Sequence, residues 1–272
     1  MRTLNLIGAG HVGRVLGRLF HERAGIAIQD VLTRSGASAG AAIAFIGAGR
    51  AAPSLAEMRP ADLWMLAVGD DQIGTVCAEL ARDHPLTGAL VFHCSGAKSS
   101  GELAGAAQAG ALTASVHPIR SFADPVQVAA HFDGTYCGIE GTGAGLLQAP
   151  LEAIGARPVA IDAAAKTVYH AASVFASNYL VTVLDTALRA YQAAGIDDTV
   201  ARALARPLAE ESMANVFRLG APAALSGPIA RGDFATVARQ QAALDDWDGP
   251  SGELYAALAE ATRALARRRG GS

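Results

Sequence analysis

Cysteine is scarce in this chain: Cys77, Cys94 and Cys137 stand far apart and are odd in number. That pattern excludes a disulfide framework and a clustered zinc site, and the three read as small core residues of a protein in a reducing cytoplasm. Charge is sparse too, at 17% of residues with a formal net charge of -3. No lysine- or arginine-rich stripe runs through the body of the sequence, so nucleic acid and anionic membranes are excluded as main partners. The Arg267-Arg268-Arg269 run, followed by Gly270-Gly271-Ser272, reads as a solvated terminus. No segment reaches the roughly 20 apolar residues that span a bilayer. The apolar run at 4–7 is too short for a secretory leader, because glycine follows at once.

What is present is apolar and regular. Hydrophobic residues make up 51% of the 272 positions, which is enough for a generous core and two domains of ordinary size. Residues 4–7, 26–32, 63–68, 89–93, 113–117 and 136–139 read as strands, with a helix over 11–23. Several of these runs lack polar alternation, as expected when both faces of a parallel sheet are covered. From about residue 162 strand signals stop. Ala/Leu-rich stretches at 163–194, 199–219, 234–244 and 252–269 read as helices, separated by Gly/Asp/Pro breaks. The expected fold class is therefore α/β, a doubly wound parallel sheet of Rossmann type followed by an all-α C-terminal domain. The boundary is placed near 155–162, giving 1–158 for nucleotide binding and 159–272 for substrate and dimerisation.

Gly8-Ala9-Gly10-His11-Val12-Gly13 matches G-x-G-x-x-G between the first strand and the helix it opens. Gly8 permits the tight turn, Gly10 lets backbone approach a pyrophosphate, and Gly13 allows close packing of helix on strand. The helix N-terminus then offers N–H groups to the anion, which brings His11 and Val12 into the site. At the end of the second strand stand Thr33-Arg34-Ser35 rather than an acid. A guanidinium beside hydroxyls suits a 2′-phosphate, so the cofactor expected is NADP rather than NAD. Asp30 is acidic but lies within the strand. Turns after the 63–68 and 89–93 strands, with Val68-Gly69 and Ser95-Gly96, complete the cleft at the carboxyl ends of parallel strands. His93 and Cys94 lack further ligands at suitable spacing, so no metal is expected.

The chemistry falls later. His117 follows the next strand, ahead of Ser121, and is placed either to polarise a carbonyl or to cap its loop. In 166–179, at about 100° per residue, Lys166, His170, Ser173 and Ser177 lie within roughly 60° of one another on a helix. The other faces are apolar, so the helix is expected to be buried with its polar stripe, and Asn178 beyond it, on a cleft. The alternative is a lysine at an exposed first turn beside a satisfied core histidine. Arg231, in the 226–233 loop, either holds a substrate carboxylate or pairs with Asp233.

The strings HCSGA (93–97), SVHPIRSF (115–122), KTVYHAASVFASNYL (166–180) and LSGPIARGD (225–233) resemble a bacterial family classed as NADP oxidoreductases. That family pairs a Rossmann-like domain with a helical C-terminal domain of unassigned function. More distantly, the layout is similar to pyrroline-5-carboxylate reductase, ketopantoate reductase and the 6-phosphogluconate-dehydrogenase-like superfamily. The resemblance implies a 6-phosphogluconate dehydrogenase C-terminal-like helical domain that shapes the substrate pocket and forms a homodimer. It also implies a catalytic role for Lys166, which ketopantoate reductases match with a lysine followed four residues later by asparagine, where this chain has His170. The expected activity is NADP(H)-dependent hydride transfer to or from a small keto, hydroxy or imino acid. Lys166, His170 and His117 are the expected catalytic residues, and Ser121, Ser177, Asn178 and Arg231 the expected substrate contacts. Ketopantoate reduction specifically, and a non-catalytic NADP(H) sensor, are the alternatives.

Overall fold

A computed structural model describes residues 1–269; the 270–272 end, read above as part of a solvated terminus, lies outside the described residues. Eight strands form one sheet: β1 (Thr3–Ile7), β2 (Ala27–Leu32), β3 (Arg50–Ala51), β4 (Leu63–Leu66), β5 (Leu90–His93), β6 (Leu112–Pro118), β7 (Tyr136–Glu140) and β8 (Arg157–Ala160). Their spatial order is β3-β2-β1-β4-β5-β6-β7-β8, so the chain reverses direction across the sheet between β1 and β4. That reversal opens a crevice at the carboxyl ends of the strands, where α/β sheets bind ligands. Pairing is parallel from β3 through β6; β7 then runs antiparallel to β6, and β8 parallel to β7. The sheet therefore departs from the fully parallel expectation at one pairing. β3 and β8 were not foreseen, since two residues carry no period and Pro158 argues against a strand except at an edge.

The side-chain alternation of the strands builds the interior. Leu4, Leu6, Leu63, Met65 and Phe92 face one side, where they meet Val15, Leu16 and Phe20 of α1 (His11–Arg23). Trp64, Leu66 and Val91 face the other, against Ile73 and Leu80 of α3 (Ile73–Asp83). The remaining connections carry α2 (Gly36–Ile46), α4 (Ala104–Gln108), α5 (Pro125–Ala130) and α6 (Ala144–Ala153).

Contacts divide the chain into two compact units, Met1–Ser177 and Asn178–Ser272. The division follows Ser177 rather than residue 158, because α7 (Lys166–Ala176) is tied into the sheet unit by its own polar side chains. The expected helix over 163–194 is in fact three pieces: a 3-10 turn at Ala163–Ala165, α7, and α8 (Asn178–Ala193), with the backbone of Ser177 non-helical at φ -128 and ψ -77. By length and composition alone Ala163–Ala193 is apolar enough to cross a bilayer, which the sequence reading did not single out. Its first turn, however, carries a lysine buried in an ion pair, described below.

The second unit holds α8, α9 (Asp198–Leu219), α10 (Ala221–Ala224), α11 (Phe234–Trp247) and α12 (Gly249–Arg268). Asp197 caps α9 by accepting from the N–H groups of Thr199 and Val200, and Asp233 caps α11 by accepting from Thr236. Arg189 of α8 binds Asp248 at 3.1 Å and Ser251 at 3.3 Å, holding the start of α12.

Candidate active site

The glycine turn divides its labour as its chemistry requires. Gly8 has φ +81, and a Cβ there would lie 2.5 Å from the Ala67 carbonyl oxygen. A Cβ at Gly13 would meet the Ala67 side chain at 2.8 Å, so helix and strand touch only because both glycines are bare. Gly10 is different: nothing lies within 4 Å of its missing side chain. Packing does not demand glycine there; the space opens beside a cleft of about 880 Å³ lined by Gly8, Gly10, Thr33, Arg34, Ser38, Val68 and Gly69. Arg14 lines it too, its guanidinium donating to the Ala9 carbonyl at 3.1 and 3.2 Å. Sequence reading missed Arg14, although a basic residue one turn inside the helix was the available signal. His11 turns aside to the Phe122 carbonyl at 2.6 Å, and Val12 packs against the core.

At the end of β2 the hydroxyls form a mesh. Thr33 and Ser38 are 2.5 Å apart, and Ser35 caps α2 by accepting from the Ser38 N–H. Arg34 is exposed at the cleft, with no ion pair or hydrogen bond among the described residues. Asp30 takes no part. It is fully buried and held by Arg50 and Arg59, and although burial alone would raise its pKa, the hydrogen bonds from Arg59 and Arg50 bring it below the usual carboxylate range. The one acid of β2 is thus sealed away from the place where an NAD-binding acid stands.

Gly8, Gly69, Gly96 and His117 follow or end β1, β4, β5 and β6, which are parallel neighbours, so all four lie on one edge of the sheet. At roughly 4.8 Å per strand this edge spans about 14 Å, a dinucleotide's reach. After β5, Ser95 accepts from the N–H groups of Ala97 and Lys98, tightening the turn. His93 lies wholly inside: it accepts from the Ser95 N–H at Nδ1 and donates from Nε2 to Ser99, and burial lowers its pKa. Sealed by its own turn, it offers nothing to a metal, and no metal-ligating cluster occurs among the described residues.

His117 does meet the 166–176 helix. Its Nδ1 lies 2.9 Å from the Tyr169 hydroxyl, and its ring stands 5.5 Å from that of His170. Gly96 makes the room, since a Cβ there would come within 2.7 Å of His117 Nε2. Burial, then the charges of His170 and Lys166, push the His117 pKa down to about 4, so the ring is neutral near pH 7. Tyr169, by contrast, is pushed up to about 12 by burial.

Lys166 is placed differently from the expectation. It is 1% exposed and points beneath the cluster, donating to Ser115 Oγ and lying 3.6 Å from Glu140. Glu140 in turn accepts from the Ser100 N–H and hydroxyl, both at 2.7 Å. Burial lowers the lysine pKa while Glu140 opposes the shift. The arrangement is an anchor for the first turn of α7. Glu140 and Tyr169 were missed, the first as the last residue of an apolar strand and the second as an aromatic outside the polar stripe. Nor is α7 buried on its apolar side: Val168 is 76% exposed, and the polar side is the one that faces the protein.

The other expected contacts divide between the two units. Ser121 and Ser177 are exposed in the first unit, and Asn178 opens the second. Arg231 lines a cavity of about 530 Å³ in the helical unit with Arg218, Arg269 and Glu211. The Asp233 carboxylate accepts from the Thr236 N–H on α11, and Arg231 acts on it only as a nearby charge, the smallest of the influences that hold that carboxyl below its usual range.

A Rossmann-like domain matches residues 2–118, and the domain of unknown function DUF2520 matches 135–262. The chain thus joins a Rossmann-like domain to a DUF2520 domain, the pairing that its sequence resembles. Protein TM1727 of Thermotoga maritima is similar to it at 28% identity, covering 97% of this chain and 98% of that one, with a TM-score of 0.74. The reductive aminase of Aspergillus terreus, solved with NADPH and ethyl levulinate, shares 17% identity over 100% and 96% of the two chains, with a TM-score of 0.73. The pyrroline carboxylate reductase of Plasmodium falciparum, solved with NADP, shares 14% over 97% and 98%, with a TM-score of 0.59. Among curated proteins no match is found.

Proposed function

We propose that this chain is an NADP(H)-dependent oxidoreductase acting on a small keto, hydroxy or imino acid. The observation that carries the reading is the convergence on one sheet edge of an open glycine turn, an uncompensated Arg34 and the His117–Tyr169–His170 cluster. Gly8, Gly10 and Gly13 with the start of α1 hold the pyrophosphate, while Arg34, Thr33, Ser35 and Ser38 take the 2′-phosphate. The complexes of the reductive aminase with NADPH and of the pyrroline carboxylate reductase with NADP support that cofactor. Bound there, the cofactor supplies or accepts hydride.

The chain's own residues do the rest. His117 and His170 face the reacting group over Gly96, with His170 as the proton donor and His117 as the polarising group. Lys166 and Glu140 fix the helix that carries His170. Ser121, Ser177, Asn178 and Arg231 remain the proposed substrate contacts. A cytoplasmic homodimer through the helical unit is part of the proposal, supported by the free cysteines and by exposed Val181, Leu208 and Phe217.

The test is NADPH binding, then its oxidation against small keto acids and cyclic imines, ketopantoate and pyrroline-5-carboxylate included. Turnover of at least one compound, lost in His170→Ala with NADPH affinity retained, is the expected result. Absence of NADPH binding would overturn the reading; binding without turnover would favour the sensor.

A further inference from the structure

We propose that Tyr169 locks His117 as a neutral imidazole with its proton on Nε2, and that the site thereby selects a carbonyl over an iminium. The second half rests on the reductase reading above; the first half does not. Two groups meet at 2.9 Å, the Tyr169 hydroxyl and His117 Nδ1. One of them must donate. Gly138 is the residue paired with His117 across the β6–β7 ladder, and its missing side chain leaves the room that the phenol oxygen occupies. Among the described residues His117 Nδ1 is the acceptor within reach of the buried phenol, so the arrangement that leaves no donor unpaired has the O–H donating to Nδ1. The imidazole proton then belongs on Nε2. That atom stands over Gly96, whose missing side chain leaves room for it, with the His170 ring alongside.

Burial acts in the same direction. It keeps the phenol protonated and therefore a donor, and keeps the imidazole uncharged. The charged and titratable groups around the ring are His170, Lys166 with its partner Glu140, and Asp70.

A donor selects an acceptor. A carbonyl oxygen accepts from Nε2–H, whereas an iminium presents an N–H of its own and meets that donor head on. As hydride adds to the carbonyl carbon, the C–O π pair moves to oxygen. His117 stabilises the oxygen by a hydrogen bond while solvent, relayed by His170, supplies the proton. Tyr169 touches neither substrate nor cofactor in this scheme; it is a positioning residue.

The decisive experiment is nitrogen NMR of the full-length protein labelled with ¹⁵N-histidine, with NADPH present, His117 being assigned by the signal lost in His117→Gln. A protonated Nε2 in the wild type, turning into a mixture of tautomers in Tyr169→Phe, is expected. A protonated Nδ1, or a tautomer indifferent to Tyr169→Phe, would overturn the lock whether or not a substrate is known. In the second arm, kcat/KM for carbonyl compounds exceeds that for cyclic iminium compounds, and the ratio falls about ten-fold or more in Tyr169→Phe. Preference for the iminium would overturn the selection alone. No oxidation of NADPH by any compound would overturn the reductase reading and the selection with it, leaving the lock to the NMR result.

Discussion

The two units of this chain bury their apolar residues very differently. In the sheet unit, leucine, isoleucine, valine and aromatic side chains close over both faces of the strands. In the helical unit the apolar residues buried among those described are Ala201, Val237 and Ala259, while Phe217 is 89% exposed. A sheet flanked by helices satisfies itself within one chain; a set of helices with apolar sides on the outside does not. The contrast is what motivates the homodimer proposed above, and each of the following tests bears on it.

The largest effect is expected at Gly8. Gly8→Val combines a left-handed backbone with a side chain driven into the Ala67 carbonyl. The cost is about 3 kcal/mol or more, measured by denaturant unfolding, together with loss of NADPH binding. Gly232 in the helical unit also has positive φ, at 74, but open space around it. Gly232→Ala should therefore cost only about 1–2 kcal/mol. Equal costs at the two sites would erase the distinction between the units.

Next comes the anchor under α7. Lys166→Ala leaves Glu140 buried without its cation and should destabilise by about 3–5 kcal/mol. Lys166→Met combined with Glu140→Gln should lose clearly less than the sum of the single changes, which a double-mutant cycle measures. Additivity would mean that the pair is not coupled.

A smaller loss is expected in the cleft: Arg34→Ala should weaken NADPH binding by about 10- to 100-fold and leave NADH nearly untouched, by calorimetric titration. For the helical unit, each ten-fold dilution should remove about 1.4 kcal/mol of apparent stability if a second copy covers it. A melting temperature independent of concentration would show that the helices stand alone.

The smallest effect concerns pH. The His117 pKa is about 4 in the fold against 6.5 ordinarily. Between those values the unfolded chain takes up a proton that the folded one refuses, so this group's contribution to stability is full above 6.5 and declines as pH falls toward 4. His117→Gln should flatten that part of the profile of melting temperature against pH; an unchanged slope would remove the assignment.

Much of this was legible in the sequence because it is local. The glycine turn needs one strand, one helix and three bare positions, and all of them lie within residues 3–23. The order of strands follows from apolar runs and helical spacers. Other features depend on residues far apart in sequence. Glu140 meets Lys166 only after β7 has paired antiparallel with β6. Helical spacing put Lys166 and His170 on one face, but depth along the helix axis separates them: one reaches under the sheet edge while the other stays above it. Tyr169 sits about 100° from His170 around the helix, and only the position of β6 shows that it reaches inward.

Gly96 leads somewhere practical. One hydrogen atom at that position is all that keeps the backbone of the turn clear of two imidazole rings. Alanine there adds a single methyl group, aimed at the rings of His117 and His170. Such a protein would have its two imidazoles pushed out of line, which makes it the natural blank for any screen of unknown compounds.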